Sequence, residues 1–198
     1  MITFDENTEE ILHSLELTRE NFWNIDRNSA EFLNILIKLK GAKNVLEIGT
    51  SNGYSGIWIL KALEETKGKL TTIEFWEKRQ SIARENFKKA NLSSYAECKI
   101  GAALVVLEDL LYEIQDCSRK KYDFVFMDAA KKEYVDYFSL VDKMLCDNGA
   151  FLADNILSHD EKVKPYIEAV QKRKDYSFSI LNIGSGMMLA IKRALLNR

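Results

Sequence analysis

Four residues in two short segments have the types and spacing for metal-assisted proton chemistry. Asp128 ends the apolar run Tyr122–Met127 and is followed three positions later by Lys131. Asp154 and Asn155 follow a second apolar run, Ala150–Ala153. If the two runs are neighbouring strands, their ends bring two carboxylates and an amide oxygen together. Such hard donors suit Mg²⁺ above all, with Ca²⁺ or Mn²⁺ as options, and do not suit zinc. Three protein oxygens leave half of an octahedral shell for substrate and water. A lysine beside a bound cation gives up its proton more readily and can serve as a general base. Each residue also has a plainer reading, the acids as turn formers or helix caps and Lys131 as a surface lysine.

A second constellation lies upstream, in Asn44-Val-Leu-Glu-Ile-Gly-Thr-Ser-Asn-Gly-Tyr-Ser-Gly56. It reads as a buried strand, a turn on Gly49 and Gly53, and the start of a helix. That arrangement brings backbone close to a ligand at the carboxyl edge of a parallel sheet. The spacing is G-x-x-x-G, not the G-x-G-x-x-G that packs a pyrophosphate onto a helix N-terminus. Glu47, just before the turn, suits a cationic ligand better than a phosphate. S-adenosylmethionine, with an ammonium and a sulfonium charge, fits that description; a simple tight turn is the alternative. Glu74 closes the next apolar run, 27 positions after Glu47. An acid there is placed to accept hydrogen bonds from ribose hydroxyls, as it does for several nucleoside ligands. Phe75 and Trp76 follow it, either flanking an adenine ring or packing at a helix start.

The elements that would position these residues alternate. Two helical patterns come first, Glu9–Asn24 and Ser29–Lys40, the latter with Ser29 as its expected N-cap. Strand Val45–Ile48, helix Ser55–Glu65, strand Leu70–Glu74 and helix Glu77–Ala90 follow. Strand Ala96–Ile100, helix Ala103–Ile114, strand Tyr122–Met127 and helix Glu133–Leu145 continue the series. Strand Ala150–Ala153 and helix Glu161–Lys172 complete it. Gly68, Asn91 and Gly149 stand where helices should stop. Strict alternation predicts a parallel sheet with helices on both faces. The last two runs, Phe178–Ile183 and Met187–Lys192, are separated only by Gly184-Ser185-Gly186. They should form a hairpin that adds one antiparallel strand. The expectation is therefore an α/β fold, a Rossmann-like, mostly parallel sheet of seven strands. One domain would span residues 1–198, with N-terminal helices over 1–42 and the Rossmann-like core over 43–193.

Bulk properties narrow the partners. A hydrophobic content of 46% with 29% charged residues is ordinary for a soluble globular protein. The formal charge of −2 provides no electrostatic footprint for nucleic acid or an anionic membrane. Cys98, Cys117 and Cys146 are odd in number and widely spaced, which favours reduced thiols in the cytoplasm over a disulfide frame or zinc site. No apolar run approaches the ~18 residues of a membrane span, and the acidic N-terminus does not read as a signal peptide. His13 and His159 belong to no partner pattern.

Taken together, these residues resemble the metal-dependent class I O-methyltransferases, the catechol and caffeoyl-CoA O-methyltransferases and their bacterial relatives. The resemblance covers about Ser29 to Arg193. Val45-Leu-Glu-Ile-Gly-Thr-Ser-Asn-Gly-Tyr-Ser55 is similar to the family's methyl-donor loop, and Thr72-Ile-Glu74 to its ribose-binding strand end. Asp128-Ala-Ala-Lys131 with Tyr134 resembles the segment bearing a metal-binding Asp and a catalytic Lys. Ala153-Asp-Asn155 resembles the second metal segment, and Ile183-Gly-Ser-Gly-Met-Met188 the closing hairpin. The resemblance implies that Glu47, Gly49 and Ser55 hold the methionine end of S-adenosylmethionine, with Asp128 beside it. Glu74 would hold the ribose and the backbone near Ala102 and Ala103 the adenine edge. It further implies a divalent cation on Asp128, Asp154 and Asn155, Lys131 as the base, and a small aromatic hydroxyl compound as acceptor. Ala130, Ser185 and Ala102 depart from residues common in the family, and these departures bear on substrate recognition. The segment before the first strand, which relatives use for lid and dimer contacts, is short, so a homodimer stays open. Two other classes also stay open, a tRNA hydroxyuridine O-methyltransferase and a non-catalytic nucleoside-binding module.

Overall fold

A computed structural model describes residues 2–194; Met1 and the last four residues of the predicted 1–198 span lie outside the described residues. The chain opens with three helices, α1 (Glu6–Leu17), α2 (Arg19–Phe22) and α3 (Arg27–Lys40). Alternation follows with β1 (Asn44–Ile48), α4 (Tyr54–Thr66), β2 (Lys69–Glu74), α5 (Glu77–Lys89), β3 (Ala96–Ile100) and α6 (Ala103–Gln115). Then come β4 (Tyr122–Met127), α7 (Tyr134–Met144), β5 (Leu145–Ala153), α8 (Asp160–Gln171), β6 (Tyr176–Leu181) and β7 (Met187–Lys192).

The seven strands form one sheet in the order β3-β2-β1-β4-β5-β7-β6. All neighbours are parallel except β7, which runs antiparallel to both β5 and β6. The sheet is thus Rossmann-like and mostly parallel, with the single reversed strand expected of the Gly184–Gly186 hairpin. The order reverses direction at β1 and β4, whose carboxyl ends flank a switch point where ligands bind in such sheets.

Period-two alternation divides the apolar residues between two cores. Val45, Phe124, Phe126 and Leu152 face α1, α3, α4 and α5. Leu46, Ile48, Val125, Met127 and Phe151 face α6, α7 and α8. Helix α4 is buried over most of its surface, from Tyr54 through Leu63, because α3 and α5 cover it on either side. Its position matters for the site, since its first turn carries Ser55.

Several local expectations need correction. The predicted helix Glu9–Asn24 is two helices; it begins at Glu6, where Asp5 caps the Thr8 amide, and breaks at Thr18. Trp23 then adopts a left-handed conformation with φ of 56°. The cap of α3 is Asp26, not Ser29; its carboxylate accepts from both the amide and the hydroxyl of Ser29. Pairing carries β5 back to Leu145 with a register shift near Asn148, so it is longer than the apolar run alone predicts. Left-handed Lys67 caps α4 one position before Gly68, and left-handed Asn91 follows α5 as expected, whereas α7 ends at Met144 and Gly149 lies within β5.

Candidate active site

Loops leaving β1, β2, β3 and β4 enclose a cavity of about 510 Å³ at the carboxyl edge of the sheet. Gly49 begins the first loop. Its φ is +104°, and a Cβ there would sit 2.1 Å from the Asp128 carbonyl oxygen. Only glycine allows β1 and β4 to lie this close at their ends, which draws the two loops into one wall. The amides of Gly49 and Thr50 both donate to the Ile73 carbonyl, at 3.0 and 3.1 Å, binding the turn to β2.

Glu74, at the end of β2, is nearly buried yet lines the cavity. Its two oxygens accept from the backbone amides of Ser51 (2.8 Å) and Trp76 (2.9 Å). These bonds lock the carboxylate in place while leaving lone pairs for a ligand's hydroxyls. Ser55 also faces the cavity, from the first turn of α4.

Glu47 lies near the end of β1, just ahead of the glycine turn. It is fully buried behind the cavity wall, where its oxygens accept from the hydroxyls of Ser55 and Thr72, each at 2.6 Å. Thr72 in turn shares a short hydrogen bond with Thr50. The strand's alternation turns this side chain towards α4, where it orients the cavity-lining Ser55 hydroxyl and adds its charge to the wall. Burial pushes its carboxyl up to about 7, with the negative charges of Asp128 and Glu74 adding to the effect against the two hydroxyl bonds.

The other end of the site grows from the β4–β5 pair. Met127 is level with Ala153, and the ladder continues one step, with the Asp154 amide donating to the Met127 carbonyl at 3.0 Å. Asp128 and Asp154 therefore leave adjacent strands side by side. Asp154 is buried, and its Oδ1 has no hydrogen-bond partner among the described residues. Burial first, and then the charge of Asp128, raise its carboxyl to about 7. Lys131 donates from Nζ to Asp128 Oδ1 at 2.7 Å. Asn155 sits at a left-handed φ of 63°, with its Nδ2 directed to Ser158 Oγ at 3.5 Å. Below them Tyr134 donates towards the carbonyls of Met127 and Asp154.

Of the residues singled out from sequence, Gly49, Ser55, Glu74, Ala102, Ala103, Asp128 and Lys131 all line the one cavity. Asp154 and Asn155 do not line it; they stand beyond Asp128, which forms the shared wall. No group of three or more His, Cys, Asp or Glu side chains placed to hold a metal ion occurs among the described residues, so a cation here would rest on two carboxylates and the Asn155 amide. That set fits a hard divalent cation. A buried carboxylate oxygen without a donor, pressed against a second carboxylate, is what a cation would neutralise.

Sequence reasoning missed the segment Phe22–Ile25, which closes one side of the cavity. Ser51 Oγ donates to the Phe22 carbonyl at 2.8 Å, tying this strap to the glycine turn. Trp23 is 76% exposed, and the Arg79 guanidinium lies 4.8 Å from its ring centre. The aromatic pair Phe22-Trp23 just ahead of an Asp26 cap was the available signal, hidden by reading the stretch as continuous helix. Glu133 and Tyr137 on the far wall were also missed.

A switch-point cavity with a carboxylate-ended β2, on a sheet closed by one reversed strand, defines a Rossmann-like nucleoside-binding fold of the methyltransferase kind. The chain belongs to the O-methyltransferase family, whose family model matches residues 5–193. It is 34% identical over 139 residues to a catechol O-methyltransferase of Niastella koreensis, covering 70% of this chain and 60% of that protein. It is 33% identical over 164 residues to caffeoyl-CoA O-methyltransferase 2 of Populus trichocarpa, covering 81% of this chain and 65% of that one. The chain thus spans 60% and 65% of the length of these two curated relatives. Among solved structures, the O-methyltransferase from Bacillus cereus in complex with SAH superposes with a TM-score of 0.82 at 28% identity, covering 98% of this chain and 93% of that one. No helix among the described residues is long and apolar enough to cross a membrane.

Proposed function

We propose that the protein is an S-adenosylmethionine-dependent, divalent-cation-dependent O-methyltransferase whose acceptor is a small aromatic with two adjacent oxygens. The observation that carries this reading is the double position of Asp128. It lines the nucleoside-sized cavity and also stands beside Asp154 and Lys131, so donor and acceptor chemistry would meet across one side chain. When bound, S-adenosylmethionine supplies an electrophilic methyl group, and a cation such as Mg²⁺ supplies charge stabilisation for an ionising hydroxyl.

The chain's own residues have distinct tasks. Gly49 and Ser55, backed by Glu47, receive the cationic methionine end, and Glu74 fixes the ribose. Phe75 and Ala130 line the same cavity and are available to flank the base. Asp128, Asp154 and Asn155 would hold the cation, whose charge would favour an acceptor with two adjacent oxygens such as a catechol-like compound. Lys131 takes the hydroxyl proton at Nζ, from a position already within reach of Asp128. Holding acceptor oxygen and methyl carbon in line allows direct displacement without a covalent enzyme intermediate. The free cysteines agree with a reducing, cytoplasmic setting.

The test is methyl transfer from S-adenosylmethionine to a panel of catechols, hydroxycinnamoyl thioesters and tRNA, each with Mg²⁺ and with excess chelator. Turnover of a catechol-type compound only with the metal present is the expected result. Full activity in chelator would remove the cation from the mechanism, and turnover of tRNA alone would replace the acceptor class.

A further inference from the structure

The cavity carries five charged side chains, and four have evident work. Glu74 is held by two backbone amides, Asp128 and Lys131 pair, and Arg79 lies over Trp23. The fifth is Glu133, half-buried in the wall just before α7. One of its oxygens, Oε2, accepts a short hydrogen bond from the Tyr137 hydroxyl one turn along. Tyr137 is itself 2% exposed, so the carboxylate is fixed by a buried group and not by a mobile one. Its Oε1 accepts from no described residue. A carboxylate anchored by one oxygen with the other left towards a cavity is arranged to receive a ligand's N–H.

The position along the cavity identifies which N–H. Helices α6 and α7 pack against each other, and Ala102, Ala103 and Glu133 line the same cavity. Glu133 thus shares a wall-lining role with Ala102 and Ala103, the segment that follows β3. The stretch Gly101-Ala-Ala-Leu-Val105 contains no side chain able to hydrogen-bond, and the cap of α6 at Ala102 is without a side-chain bond. Its free backbone N–H groups can donate to a ring nitrogen, and any side-chain acceptor for an exocyclic amine must come from another part of the cavity wall. Adenine presents both groups on one edge, an acceptor N1 beside a donor N6.

We propose that Glu133, oriented by Tyr137, is the residue that recognises the exocyclic amine of the donor's adenine and so sets selectivity for that base. The proposal rests on the reading of the cavity as the S-adenosylmethionine site. Hypoxanthine reverses the pattern, with a carbonyl at C6 and a proton on N1. Its carbonyl oxygen would face a carboxylate, and its N1–H would face the amides of α6. Discrimination would come from this repulsion as much as from the lost bond.

The experiment compares S-adenosylhomocysteine with its deaminated counterpart, S-inosylhomocysteine, by calorimetry on the full chain. The wild-type protein should bind the adenine form about 10²-fold more tightly, the scale of a charged hydrogen bond in a partly buried site. Glu133→Gln should bring the two affinities within about threefold of each other, because an amide can turn to donate or accept. Glu133→Ala should also narrow the preference, by weakening the adenine form and relieving the repulsion on the hypoxanthine form, but without the donor bond that Gln can offer. Tyr137→Phe should lower the preference part of the way while the fold, followed by its melting temperature, is retained. An unchanged preference in Glu133→Gln overturns the assignment while leaving the donor site intact. Failure of the wild-type protein to bind S-adenosylhomocysteine at all overturns the assignment and the reading of the cavity together.

Discussion

Replacing Glu47 with Gln tests how a buried acid behind the donor cavity affects both stability and binding. The carboxyl lies at zero exposure, and burial lifts it from the ordinary 4.5 to about 7. The folded protein therefore holds this proton more tightly than the unfolded chain does. The resulting stability is fully present below about pH 4.5 and is lost as pH rises to about 7. That interval corresponds to about 3 kcal/mol, an upper figure for one group. In Glu47→Gln no proton is exchanged at this position, and the Ser55 and Thr72 hydroxyls can turn to serve the amide. Urea unfolding of both proteins across a pH series isolates the effect, since other titrating groups cancel in the difference. The wild-type protein should lose ground to the variant by up to about 3 kcal/mol between pH 4.5 and 7, and the difference should then level off. A pH-independent difference would refute the reasoning and mean that Glu47 stays ionised, with the two hydroxyls outweighing burial. The same argument links to binding: a cationic donor favours the ionised acid, so donor binding near pH 7 should release a proton from the wild-type protein and not from the variant.

Other substitutions probe the remaining parts of the site. Glu74→Ala should weaken S-adenosylhomocysteine binding by roughly 1–3 kcal/mol, measured by calorimetry, through loss of charged hydrogen bonds; unchanged affinity would remove Glu74 from the ribose. Lys131→Met should lower the catalytic rate by about 10²–10⁴-fold while sparing donor affinity, and near-normal turnover across a pH series would return it to a surface role. Gly49→Ala should cost at least about 2 kcal/mol of stability, since its Cβ would meet the Asp128 carbonyl at 2.1 Å and φ is +104°. Wild-type unfolding behaviour in that variant would show that β1 and β4 can separate at little cost.

Much of this protein is settled by sequence alone. The alternation of apolar runs and helical patterns determines a parallel sheet, because a strand buried on both faces must be apolar throughout. The short glycine-containing link around Gly184–Gly186, which in the fold joins Leu181 to Met187, determines that the final strand reverses, because so short a connection cannot cross over. The acids at Glu74, Asp128 and Asp154 are likewise legible, since polar residues that end buried strands emerge at one edge. Tertiary structure alone decides what those residues face. Glu47 and Glu74 both belong to strands that enter the cavity wall, yet strand alternation turns Glu47 into the layer under α4. Glu74, at the strand end, is caught by the Ser51 and Trp76 amides at the cavity's surface. Ser29 and Asp26 compete for one cap, and the winner depends on where the strap from Phe22 to Ile25 must run to reach Ser51. Glu133 and Tyr137, four positions apart, carry no motif, and only the tertiary packing of α7 brings them to the cavity wall. Local spacing fixes which residues share an element; the docking of elements fixes which face of each meets the ligand, and those distances lie far apart in the chain.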